Sequence, residues 1–256
     1  MLSLAAIIVV GFVLGMRHAL DPDHVIAVTT IVSRQRSTAK AGLIGVMWGV
    51  GHTLTIFLVG AAIILFNVVI PPRLGLTMEL AVGGMLILLG ILNLTGGLRW
   101  LHERFTGAAG TTAAIPAQAD MASDTLNRKD AKLPSRVWRV CASMGFYNLV
   151  RPLVVGLVHG LAGSAAVALL VITTIRQPWW AIAYLLLFGV GTIAGMMAIT
   201  LLISGPFVFT ARRFSGWNQK LTMASGLLSL GFGLFISYQI GFVDGLFTNH
   251  PQWTPR

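Results

Sequence analysis

Gly15-Met16-Arg17-His18-Ala19-Leu20-Asp21-Pro22-Asp23-His24 is the stretch that decides how this chain folds. It lies inside the first apolar segment, which resumes at Val25. An ionisable group at that depth in lipid costs roughly 2.5–3.5 kcal/mol on insertion scales, and here two imidazoles and two carboxylates surround a helix-breaking proline. Such a grouping needs a physical reason, and its nitrogen and oxygen donors suit a transition-metal ion.

The rest of the composition agrees with a lipid setting. Of 256 residues, 55% are hydrophobic and 10% charged, and the mean hydropathy is +0.81, values that describe a polytopic membrane protein. Residues 1–16 carry no basic leader and no cleavage pattern, so the first segment is expected to stay in the membrane. Cys141 is the only cysteine, which excludes an intramolecular disulfide and a multi-thiolate metal site.

Windows of about 20 apolar residues mark bilayer crossings. They predict an all-α fold with six transmembrane helices, at 3–33, 41–66, 78–98, 147–175, 179–205 and 221–241. The first and fourth exceed one straight crossing and are expected to be broken near their middles. Residues 102–140 read as a flexible polar linker. Basic residues cluster after the first span (Arg34, Arg36, Lys40), the third (Arg99, Arg104, Arg128, Lys129, Lys132, Arg136, Arg139, Arg151) and the fifth (Arg212, Arg213, Lys220). Arg73, Arg176 and Arg256 stand on the other side. The positive-inside rule then makes the linker cytoplasmic and both termini external, and the formal charge of +10 is a topology signal that does not imply nucleic-acid binding.

Sliding the chain against itself by about 141 residues brings Gly15 and His18 onto Gly156 and His159. With a one-residue gap, Gly49 and Gly51 fall on Gly189 and Gly191, and Leu86, Leu89 and Gly90 fall on Leu227, Leu230 and Gly231. This predicts two three-helix repeats, 1–101 and 141–241, followed by an external tail, 242–256. Three crossings per half force the second repeat to be inverted, the arrangement in which transporters build a substrate site near the bilayer midplane. The glycines at 45, 49, 51, 156, 160, 163, 189, 191 and 195 read mostly as helix-packing positions. Thr53, Ser164 and Thr192 are candidate polar wall residues.

His18 falls near the centre of the first span, His52 of the second and His159 of the fourth. On a regular helix, His24 would lie about 120° from the His18 face and Asp23 about 140° to the other side. No regular helix aims all three at one ion, but Pro22 lacks an amide donor and unwinds the helix where convergence needs it. The expected metal site is therefore His18, Asp23 and His24 at the break. Asp21 is either a ligand or the acceptor that fixes an imidazole tautomer. His52 and His159 are candidates from neighbouring spans. A proline-kinked hinge held by hydrogen bonds is the alternative reading.

The run from Gly15 to Val25, with its His18-x4-Asp23-His24 core, resembles the signature of the nickel/cobalt transporter superfamily. Trp48-Gly49-Val50-Gly51-His52-Thr53 is similar to that superfamily's second motif. Val158-His159-Gly160-Leu161-Ala162-Gly163-Ser164-Ala165-Ala166 resembles the six-span branch labelled urease accessory protein. The likeness spans nearly all of the hydrophobic chain and spares the linker. It implies movement of Ni(II) or Co(II) across a prokaryotic cytoplasmic (inner) membrane, with His18, Asp23 and His24 handling the ion and His52 as a further candidate. The chain has two fewer spans than the eight-span importers of the superfamily and lacks a counterpart of their later Gly-Phe-Asp-Thr type motif.

No Gly-x-x-x-x-Gly-Lys-Ser/Thr loop is present, so transport would draw on an ion gradient, the membrane potential or a partner. No His-Glu-x-x-His pair is present either, and Glu79 and Glu103 fall at span ends, so no enzyme is expected. The sequence thus leads to a secondary permease, more an importer than an exporter, with a divalent transition-metal ion as substrate and no permanently bound cofactor. Its partners would be the lipid bilayer and nickel-enzyme maturation proteins. An efflux permease of the same fold, a non-transporting scaffold for urease assembly, and a haem-binding membrane protein with His52 and His159 as axial ligands are the competing readings.

Overall fold

The computed structural model describes residues 4–66, 70–96, 149–162, 177–248 and 250–253. They form helices and short turns, with no strand among the described residues. In chain order the helices are α1 (Leu4–His18), α2 (Pro22–Val32), α3 (Thr38–Phe66), α4 (Pro72–Leu94), α5 (Leu149–Ala162), α6 (Pro178–Arg213) and α7 (Ser215–Tyr238), the last widening into a π turn at Gln239–Val243. The linker 102–140, Cys141, Gly163, Ser164 and the second half of the fourth expected span lie outside the described residues.

Four helices, α3, α4, α6 and α7, are long and apolar enough to cross a bilayer, which makes this a membrane protein. Large apolar side chains such as Leu202, Phe209, Trp217 and Phe242 point outward, as a lipid solvent requires. The first apolar segment is two helices, α1 of 15 residues and α2 of 11, separated by Ala19 to Asp21. Helix α4 starts at Pro72, earlier than the hydropathy window places it, because proline at a helix start forfeits no hydrogen bond and Arg73 depresses the local average. Helix α6 runs through Pro206 to Arg213, past the expected end at 205. After Pro206 the Thr210 hydroxyl bonds back to its own helix, donating to the Pro206 carbonyl at 2.8 Å.

Helix α6 packs along both α1 and α3, α4 pairs with α7, and α2 is wedged among α4, α6 and α7. Lipid supplies no hydrophobic drive between helices, so close van der Waals fit has to hold them. Two crossings show how. A Cβ on Gly15 would stand 2.0 Å from the Phe188 carbonyl oxygen and one on Gly191 2.1 Å from that of Phe12, so α1 and α6 meet backbone to backbone. Helices α3 and α5 meet the same way, with a Cβ on Gly156 falling 2.2 Å from the Trp48 carbonyl oxygen and one on Gly51 2.2 Å from that of Leu153. Phe12 and Gly15 match Leu153 and Gly156 in the sequence offset, and Trp48 and Gly51 match Phe188 and Gly191, so one contact is built twice.

A buried polar network ties α2, α4 and α7 at one end. Arg34 Nε donates to Asn93 Oδ1 at 2.9 Å and its Nη2 to the Asn93 carbonyl. Asn93 Nδ2 donates to the Thr222 carbonyl at 3.0 Å and to Ser225 Oγ at 3.2 Å. Thr222 Oγ1 donates to the Ser33 carbonyl at 3.2 Å and Thr30 Oγ1 to that of Ser225 at 3.1 Å. Interhelical bonds of this kind contribute about 0.6 kcal/mol each in a membrane, and a set of them makes a seam.

Candidate metal centre

Local backbone bonding explains the break. Leu20 N–H donates to the Arg17 carbonyl at 2.8 Å and Asp21 N–H to that of His18 at 3.1 Å, tight turns that end α1. Pro22 then opens α2 with Asp21 in front of it, and the His24 N–H donates to the Asp23 carboxylate at 2.9 Å. The register shift carries His18 and His24, which a continuous helix would hold on different faces, to ring centroids 4.8 Å apart.

His52 from α3 and His159 from α5 complete the cluster. His18 Nε2 lies 3.1 Å from His52 Nε2, and the His24 and His159 rings stand with centroids 4.2 Å apart. His24, His52 and His159 are buried, at 2%, 0% and 1% exposure, which no isolated polar side chain in lipid would accept without a partner. Two sets of three could each offer one ligand atom within 4.8 Å of the others: His18, His24 and His52, and Asp23, His24 and His159. His24 belongs to both.

The carboxylates orient the rings. Asp21 Oδ2 lies 2.7 Å from His18 Nδ1, Asp23 Oδ1 3.0 Å from His24 Nδ1, and Asp23 Oδ2 2.9 Å from His159 Nε2. An ionised carboxylate only accepts, so each of those nitrogens carries the proton when the ring is neutral, and the opposite nitrogen is left with its lone pair. Those opposite atoms are His18 Nε2, facing His52, and His24 Nε2 and His159 Nδ1, both buried without a hydrogen-bond partner. His52 Nδ1 is likewise unpartnered. Buried nitrogen lone pairs with carboxylates behind them are the donor set that binds zinc-like and nickel-like divalent ions, the acid raising ligand basicity.

All six candidates from the sequence, His18, Asp21, Asp23, His24, His52 and His159, therefore lie in one neighbourhood, with Asp21 against the Nδ1 of His18 that points away from His52. Of the expected wall residues, Thr53 donates across to the Gly189 carbonyl at 3.1 Å, whereas Thr192 only bonds back to its own helix at Phe188, 2.9 Å away. The sequence reading gave no role to Trp48, whose ring stacks parallel to His24 at 6.2 Å and stands edge-on to His159 at 5.7 Å. It also missed a cavity of about 390 Å³ lined by His18, Asp21, Asp23, His24 and His159 together with Glu79, Val82, Phe232 and Gln239.

No family model matches the chain, and no solved structure matches it. Among curated proteins it is 35% identical over 245 residues to the urease accessory protein UreH of Bacillus sp. (strain TB-90), covering 96% of both chains. It is 24% identical over 228 and 227 residues to the chloroplast proteins FOR GROWTH AND FERTILITY 1 and 2 of Arabidopsis thaliana, covering 88% of this chain and 57% and 54% of theirs. The chain thus spans little more than half the length of the two plant proteins. With a third of its residues shared along nearly the whole length of both proteins, the chain belongs to the UreH family of urease accessory proteins.

Proposed function

We propose that this protein is a secondary permease that moves Ni(II), and Co(II) by the same chemistry, across the cytoplasmic membrane toward the cell interior, where a urease needs nickel. The observation that carries this reading is the pair of overlapping donor sets that share His24 and open into a carboxylate-lined cavity. A resident structural ion would be served by one closed set, whereas a passing ion needs donors it can exchange.

The doubled glycine crossing supports a molecule built as two inverted three-helix repeats, 1–101 and 141–241, joined by the cytoplasmic linker 102–140 and followed by the external tail 242–256. In that arrangement the donors lie near the midplane. The cavity opens toward the start of α4 and the end of α7, which the charge pattern puts outside. The Arg34–Asn93–Thr222 network closes the opposite, cytoplasmic end. An ion entering from outside exchanges waters for His18, Asp23, His24, His52 and His159, and rocking of one repeat against the other opens the inner seam.

The test is metal-dependent flux into vesicles holding the purified full-length protein, with His24→Ala and His18→Ala beside the wild type. The expected result is saturable Ni(II) uptake in the wild type, lost in His24→Ala while that variant remains folded in the vesicle membrane. Uptake no faster than in empty vesicles, or unchanged uptake by His24→Ala, overturns the reading.

A further inference from the structure

We propose that Glu79 is a recruiting station for divalent cations at the outer end of the cavity, oriented by Trp253 of the carboxyl-terminal strap; the inference rests on the transport reading above. Four carboxylates fall among the described residues, and three of them, Asp21, Asp23 and Glu79, line this one cavity in a chain of net charge +10. Its other walls include Val82, Phe232, Ile236 and Ile240, and apolar walls concentrate the field of the acids on the opening. At its foot His24 and His159, both nearly fully buried, each keep a ring nitrogen without a hydrogen-bond partner. A cation drawn to Glu79 thus meets nitrogen donors further in.

The hold on Glu79 is built from distant parts of the chain. Trp253 Nε1 donates to Glu79 Oε1 at 2.9 Å. The indole lies on Gly75, one turn before Glu79, where a Cβ would come 2.2 Å from the ring, so only glycine admits it. The strap carrying Trp253 folds back through the Gln252 N–H, which donates to the Asp244 carbonyl at 2.9 Å, after a turn at Gly245 with φ +80°. An indole N–H is a neutral donor, so it fixes the carboxylate's direction and leaves its charge in place.

The experiment is Ni(II) flux by the full-length protein in vesicles at low and high potassium chloride. Glu79→Gln keeps an oxygen for Trp253 and removes the charge. It is expected to raise the half-saturating Ni(II) concentration about tenfold at low salt with the maximal rate within about twofold of wild type, the difference shrinking at high salt. Half-saturation equal to wild type at low salt overturns the proposal and leaves Glu79 as an anchor for the strap alone. Should Glu79→Gln not reach the membrane, Glu79→Cys in a Cys141→Ser background decides through its reagents. A negatively charged methanethiosulfonate adduct is expected to restore half-saturation and a positively charged one to raise it, and equal behaviour of the two contradicts the proposal. If the wild type shows no flux at all, the permease reading fails separately, and Ni(II) binding to solubilised His24→Ala protein decides here. A weak, salt-sensitive site that Glu79→Gln removes supports the station, and its indifference to that change overturns it.

Discussion

The Asp23 carboxylate on α2 reaches His159 on α5 at 2.9 Å, while its other oxygen stands 3.0 Å from His24 on its own helix. One acid therefore sets the tautomers of two imidazoles that come from opposite halves of the chain. Asp23→Asn keeps the shape and removes the acceptor charge. Loss of such an orienting partner costs about 10–100-fold in metal affinity, and titration calorimetry of Ni(II) into the solubilised protein is expected to show a weakening of that size. A dissociation constant equal to wild type would contradict it.

The glycine crossings make a sharper stability forecast. Alanine at Gly15, Gly51, Gly156 or Gly191 would drive a methyl to within about 2.2 Å of a backbone carbonyl of the facing helix, and each is expected to destabilise by at least about 1–3 kcal/mol. A Cβ at Gly84 or Gly205 meets nothing within 4 Å, and alanine there is expected to be neutral or slightly stabilising through helix propensity. Thermal unfolding in one detergent separates the two groups. Equal behaviour would mean that these crossings are not the tight contacts described.

Asn93 is the hub of the seam at the end of the bundle opposite the cavity. Asn93→Leu takes the side-chain acceptor from Arg34 Nε and a donor from both the Thr222 carbonyl and Ser225 Oγ, while Arg34 Nη2 keeps the backbone carbonyl at 93, a loss expected to cost about 1–3 kcal/mol in unfolding free energy. If the seam also closes the inner gate, the variant leaks Ni(II) down its gradient faster than wild type. A variant matching wild type in both melting and leak would remove the seam from the mechanism.

The orientation rests on loop charge and is open to a direct check. In a Cys141→Ser background, a cysteine placed at Ser123 in the linker is expected to react with a membrane-impermeant maleimide only after the cells are permeabilised. Labelling of intact cells at that position would turn the molecule over, and with it the assignment of the cavity to the outside.

Much of this architecture was legible in the residues, for physical reasons that can be named. Pro22 among four ionisable groups admits few explanations in lipid, and the break between α1 and α2 falls there. The glycine register that relates Gly15 to Gly156 and Gly51 to Gly191 marks the very positions where helices touch, because only a missing side chain permits that approach. Hydropathy windows did less well at ends. They count Arg73 and Pro206 against a helix, while a proline at a helix start forfeits no hydrogen bond and α6 runs on through Pro206. The roles of Glu79, Trp253 and Asn93 were not legible because they depend on contacts between residues far apart in sequence, which no local pattern encodes.

The central claim is that His24 takes part in both donor sets around a transported ion. Anomalous scattering at the nickel edge from crystals of the full-length protein grown with Ni(II) tests it most directly. The account predicts a peak about 2.0–2.2 Å from a ring nitrogen of His24, with the remaining protein ligands drawn from His18, His52, Asp23 and His159. A nickel peak remote from His24, or none in the cluster at saturating metal, would contradict it.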